Sequence, residues 1–220
     1  MFSARTHSAF TLALSLIASV LVFAPASFAQ VDVTVNGDQG PWLVTGTLNA
    51  AYPYNQTFDN NEAAPTVVTS SSQVSIDPGQ VVSINYVSGT VSVQPGTYPY
   101  TNSGGNTAIP ENNSVVYGSN WPSYWIPAAQ YPVYSTELIA TFADASGAIV
   151  GTPFAAGLSD TVTVPAGATQ LQLGVNDTNY SDNAGSWTIG VSNVVPEPTS
   201  LGLLAIGGLL AMRRRNRRTA

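Results

Sequence analysis

Residues 171–191 read L-Q-L-G-V-N-D-T-N-Y-S-D-N-A-G-S-W-T-I-G-V, and their period decides the fold class. Leu171, Leu173 and Val175 alternate with Gln172 and Gly174, and Trp187, Ile189 and Val191 alternate with Thr188 and Gly190. Each arm therefore offers one apolar face at the two-residue repeat of a β-strand. Between the arms, Asn176–Asn183 is the densest polar cluster of the chain.

Working outward, the same repeat recurs at Val82, Ile84 and Tyr86, at Leu138, Ala140 and Phe142, and at Val162 and Val164. Turn signals separate these runs: Asp77-Pro78-Gly79, Gln94-Pro95-Gly96, Ala145-Ser146-Gly147 and Pro165-Ala166-Gly167. Nothing between Gln30 and Val194 sustains a 3.6-residue repeat, there is no internal repeat, and β-branched Val and Thr are abundant. The expected fold is all-β, a two-sheet antiparallel β-sandwich of jelly-roll kind. Two stretches break the rhythm, Asn49–Thr66 and Tyr98–Tyr134, both polar and rich in Asn, Pro, Tyr and Trp. Loops of that length in a compact domain are usually functional.

The two ends of the chain read as addresses. Arg5 and His7 precede an apolar run from Phe10 to Phe23 and then A-P-A-S-F-A-Q, so residues 1–29 are expected to be a secretory signal peptide cut between Ala29 and Gln30. At the other end, Val195-Pro196-Glu197-Pro198 is followed by an uncharged run over 201–212 and by Arg213, Arg214, Arg215, Arg217 and Arg218. An apolar run closed by arginines is a stop-transfer pattern with its positive end in the cytoplasm. As a helix, 201–212 spans only about 18 Å of the roughly 30 Å hydrocarbon core. Snorkelling Arg213 and the flanking Thr199 and Ser200 must supply the rest, so the transmembrane helix is expected to be a transient anchor.

This tail, residues 195–220, is similar to the PEP-CTERM sorting signal, with motif, apolar helix and Arg cluster in order. The resemblance implies an exosortase-type membrane enzyme that recognises and processes the tail. It also implies a Gram-negative bacterium that makes exopolysaccharide, with delivery to the cell surface or the extracellular matrix. An ordinary single-span anchor is the competing reading, although such anchors approach twenty apolar residues.

Between the two addresses, residues 30–194 contain no Lys, Arg, His or Cys, while eleven of the twelve acidic residues lie there. A domain of net charge near −11 cannot bind a phosphate backbone, so nucleic acid is excluded as a partner. Ser-His-Asp, Cys-His and Ser-Lys catalysis, Schiff bases and zinc sites built on imidazole or thiolate are excluded with it. Carboxylate chemistry remains: paired acids for a glycosidase, or Asp, Asn and main-chain oxygens for calcium. No pair among Glu62, Glu111, Glu137 and Asp144 is distinguished by the sequence, so the chain is not expected to be an enzyme.

The 176–183 cluster has two readings. Asp177, Asp182 and Asn183 are hard oxygen ligands on one connection, which suits calcium. A hairpin turn whose Asn, Asp and Ser side chains cap the backbone needs no metal. Segment 171–189, with S-G-T-V-S-V-Q-P at 88–95, is also similar to the calcium-dependent galactophilic lectins of the PA-IL type. That resemblance implies Asp177, Asp182 and Asn183 as side-chain calcium ligands, main-chain carbonyls from Val93 and Asn179, and sugar hydroxyls completing the shell. Tyr98, Trp121 and Trp125 are the aromatic residues expected to meet a sugar face, and the tryptophans serve equally well as caps on the core.

The resulting expectation is an exported surface or matrix protein that binds a neutral carbohydrate or exopolysaccharide with the help of Ca2+. A structural matrix protein without specific sugar binding is the alternative, and a carboxylate-pair glycosidase the third.

Overall fold

Every strand expected from the two-residue repeat forms with its apolar residues against the core, and residues 135–143 and 171–175 are buried on both faces. The computed structural model describes residues 29–52, 62–116 and 119–194. Residues 1–28 of the expected signal peptide and residues 195–220, where the transmembrane helix is expected, lie outside the described residues, as does the side chain of Trp121. Among the described residues no helix is long and apolar enough to cross a membrane.

Ten strands follow in order: β1 (Val31–Asn36), β2 (Thr66–Thr69), β3 (Val81–Ser92), β4 (Gly104–Val116), β5 (Ser119–Pro122), β6 (Val133–Ala143), β7 (Ile149–Ala155), β8 (Ser159–Thr163), β9 (Gln170–Val175) and β10 (Ala184–Asn193). They form two sheets, β1-β10-β3-β8 and β2-β9-β6-β4-β5, with β7 pairing β6 beside β4. All strand pairs are antiparallel. Trp187, Ile189 and Val191 of one sheet and Leu171, Leu173 and Val175 of the other share a single buried apolar cluster.

Two details position the rest. In β3 the ladder to β10 slips between Thr188 and Ile189, so Ser88 faces Thr188 while Tyr86 faces Ile189. Val87 is the extra residue of this bulge and is exposed, which switches the buried face from Val82 and Ile84 to Val91 and Val93. Opposite Trp187 stands Gly89 at φ +91°, where a Cβ would come within 2.2 Å of Ser186 O, so only glycine fits.

The expectation of one long loop over Tyr98–Tyr134 is corrected. Segments β4 and β5 and the start of β6 lie inside it. Their sequence hides them because β4 carries few apolar residues, and its pairing with β6 breaks between Asn106 and Pro110. A strand whose partners supply the pairing needs no apolar alternation of its own.

Candidate functional site

Strands β9 and β10 are consecutive yet belong to different sheets. Residues 176–183 therefore carry the chain from one sheet to the other and are not a hairpin.

The loop is fastened at its start by Asn176. Its Nδ2 donates to Glu111 Oε2 (2.9 Å) and to Tyr134 O (2.8 Å), and its Oδ1 accepts from Ser123 Oγ (2.9 Å). The main chain of Asn176 donates to Glu137 O (2.8 Å) and accepts from Thr136 N (3.0 Å). Thr136 sits at φ +65°, in the left-handed region where a β-branched residue is strained. Next, Trp125 Nε1 donates to Asp177 O at 2.6 Å, and Tyr180, itself buried, donates its hydroxyl to Val175 O at 2.6 Å. The rings of Tyr180 and Trp125 meet edge-on.

Against this tightly bonded frame, three oxygens stand out. Six buried side-chain atoms among the described residues have no hydrogen-bond partner, and three of them are Asp177 Oδ2, Asp182 Oδ1 and Asn183 Oδ1. The other oxygen of Asp177 accepts from Thr178 N at 2.7 Å, and the amide nitrogen of Asn183 donates to Gly37 O at 2.7 Å while also favouring the charged form of Asp177. Register places a fourth residue nearby: Ala184 faces Ser92, so Val93 comes alongside Asn183. Asn179 turns its side-chain oxygen onto Ser181 N and Oγ (3.2 and 2.7 Å), which leaves a main-chain oxygen as its expected contribution. Among the described residues no three His, Cys, Asp or Glu side chains converge. A cation here would lean on two carboxylates plus amide and main-chain oxygens, a donor set that suits a hard ion such as calcium.

Burial raises Asp177 to about 7, partly offset by the Thr178 N–H. Burial likewise pushes Glu137 to about 7, and pushes Glu111 well above the usual carboxylate range, with the charge of Asp177 adding to it. In all three the folded state holds its proton more tightly than the unfolded chain, so stability falls as pH rises from the unfolded values near 4 towards 7. The metal-free domain is accordingly expected to need more urea to unfold at pH 5 than at pH 7.5. Relief of the net negative charge acts in the same direction, so Glu111→Gln, which keeps a neutral group there, should flatten the dependence. A midpoint that rises with pH would contradict the assignment.

The expected sugar-facing aromatics part company here. Trp125 is fully buried and packs edge-on against Trp42 and Tyr124. A ring with no exposed face has no surface for a sugar, so Trp125 is core, and its indole positions the loop. Tyr98 is half-buried against the core. Glu111, Asn176 and Ser123 were missed as loop supports, because partners 53 and 65 residues apart leave no local spacing to read.

Residues 194–218 match the PEP-CTERM protein-sorting motif. The chain thus carries the signal its tail predicts, which marks it for export and for sorting to the cell envelope or extracellular space. No curated protein sequence matches the chain. Among solved structures it is similar to the N-terminal domain of EclA, a PllA-like lectin, at 18% identity and a TM-score of 0.38, covering 75% of this chain and 98% of that one. It is also similar to AJLec from the sea anemone Anthopleura japonica, at 13% identity and a TM-score of 0.38, covering 79% of this chain and 98% of that one.

Proposed function

We propose that residues 30–194 form a non-catalytic carbohydrate-binding domain that holds a calcium ion in the 176–183 loop, displayed at the cell surface or in an exopolysaccharide matrix after processing by an exosortase-type enzyme. The observation that carries the reading is the set of three buried, donorless oxygens on Asp177, Asp182 and Asn183. Leaving such groups unpaired costs about 1–3 kcal/mol each, more when charged, and a cation offsets that cost. Val93 and Asn179 supply main-chain oxygens in this reading, and sugar hydroxyls complete the shell. The absence of any basic residue in 30–194 favours a neutral ligand over an anionic one.

Binding without catalysis is supported by the placement of the acids. Glu111 and Glu137 are buried and tied to Asn176 and to Tyr134 N, respectively. A glycosidic bond has no open approach to such a pair. The burial of Trp125 favours the second reading, a structural surface protein, because it removes one expected sugar platform. A glycan array probed with residues 30–194, with and without calcium, separates the two: retention only with calcium supports the lectin, and blank arrays support the structural protein.

The sorting half of the proposal has its own test. Glu197→Ala, or replacement of Pro196 and Pro198, is expected to leave most of the full-length chain in the inner membrane, read by fractionation and immunoblot. Normal arrival of such a variant at the surface would refute it.

A further inference from the structure

Among the described residues Tyr100 is the one aromatic side chain that is exposed, at 51%. Its main chain is nonetheless held on both sides. Before it, Tyr98 N donates to Gln94 O and Tyr98 O accepts from Ser92 Oγ, both at 2.9 Å. After it, Thr101 exchanges two main-chain bonds with Val91 (2.8 and 3.0 Å), and Thr101 O also accepts from the indole of buried Trp187 at 3.0 Å. Pro99 fixes its own φ between the two anchors. The ring belongs to no part of the apolar core, so its packing leaves it unexplained. Held on a bonded support, it loses little freedom when a ligand meets it, which is the condition under which an exposed aromatic ring adds most to binding.

The ring stands beside the 176–183 loop. Its Cε1 lies 3.3 Å from the place a Cβ of Gly185 would occupy, so the ring edge covers Gly185. Gly185 O accepts from Gly37 N at 3.0 Å, and Gly37 O accepts from Asn183 Nδ2 at 2.7 Å. One residue, Gly37, thus ties the floor beneath Tyr100 to the side chain whose Oδ1 is buried without a donor. Asn183 and Gly185 are two residues apart, so their Cα atoms are separated by at most about 7 Å. A sugar unit held at Asn183 through an ion therefore has its neighbouring unit within reach of the ring.

Resting on the ion-held sugar of the proposed function, we propose that Tyr100 forms a second subsite, which packs against the apolar face of the sugar unit next to the one whose hydroxyls complete the calcium shell. The ligand class that fits is a neutral oligosaccharide of two or more units, bound in preference to the monosaccharide. One face of a pyranose ring presents C–H groups, which suit the electron-rich face of a tyrosine. No Lys, Arg or His in 30–194 is there to pair an acidic sugar. Tyr100 thus supplies the exposed platform that buried Trp125 cannot.

The test titrates residues 30–194, as wild type, Tyr100→Ala and Tyr100→Phe, over an array of neutral mono-, di- and trisaccharides in millimolar calcium. The wild type is expected to hold its best di- or trisaccharide about tenfold more tightly than any monosaccharide, the scale of one added aromatic contact. Tyr100→Ala should fall to the monosaccharide level and Tyr100→Phe should not, since the ring and not the hydroxyl makes the contact. All three proteins should show the same calcium-dependent rise in melting temperature, because Tyr100 offers the ion no ligand. Retention by the wild type with no preference for the longer sugars overturns the subsite and leaves the carbohydrate reading standing. So does a preference that survives in Tyr100→Ala. A calcium gain lost in Tyr100→Ala also overturns it, since the residue would then act on the loop. A blank wild-type array sinks the carbohydrate reading itself and the subsite with it.

Discussion

Millimolar calcium is expected to raise the melting temperature of residues 30–194 by roughly 5–10 °C, and Asp177→Ala is expected to abolish the gain. Binding to the folded state alone adds about 2.7 kcal/mol when the ion is about a hundredfold above its dissociation constant. For a domain of this size, 1 kcal/mol moves the midpoint by about 2–4 °C. Asp177 is the informative position because its Oδ2 is buried without a donor, and because burial and the neighbouring charge of Asp182 both disfavour its ionised form. Without calcium, then, the alanine variant should melt no lower than the wild type, since it loses a carboxylate that is a burden in the empty loop. Scanning calorimetry with calcium, magnesium and chelator on both proteins checks this. No gain in the wild type would sink the metal site, and a gain that survives Asp177→Ala would move the ion elsewhere.

A second large effect is expected at Asn176. Its truncation to alanine leaves Glu111 Oε2, Tyr134 O and Ser123 Oγ without the partners they now have, in a region closed to water. Each stranded group costs about 1–3 kcal/mol, so a total loss of about 3–4 kcal/mol is expected from urea unfolding. Glu111→Gln provides the contrast. Burial favours the protonated form of Glu111, and glutamine has the shape and neutrality of that form, so the change should cost less than about 1 kcal/mol. Equal losses in the two variants would mean that Glu111 is ionised and that the network is held by charge.

The β9 and β10 arms were legible because alternation is a local property: Leu171, Leu173, Val175, Trp187, Ile189 and Val191 must share faces whatever they pair with. The candidate residues Asp177, Asp182 and Asn183 stood out for a related reason, since a cluster of short oxygen-bearing side chains between two strands has few roles. Trp125 was not. Its residue type suits a sugar platform and a core equally well, and only the packing of Trp42, Tyr124 and Tyr180 around it decides. Strand β4 was hidden because its pattern is polar and its partner lies beyond a further loop.

By itself, then, the sequence determined that the domain is all-β, that it has no nitrogen or sulfur side chain able to act as a base or a nucleophile, and that its tail is a sorting signal. These follow from periodicity, composition and linear order, which need no knowledge of what lies across space. Only the tertiary structure decided that the 176–183 loop crosses between sheets instead of closing a hairpin, that Asn176 and Trp125 hold its first turn, and that three of its oxygens are buried without donors. The physical reason is that strand pairing and burial are set by contacts between residues far apart in the chain, while the alternation of a strand records only which face is apolar and not which strand it will meet.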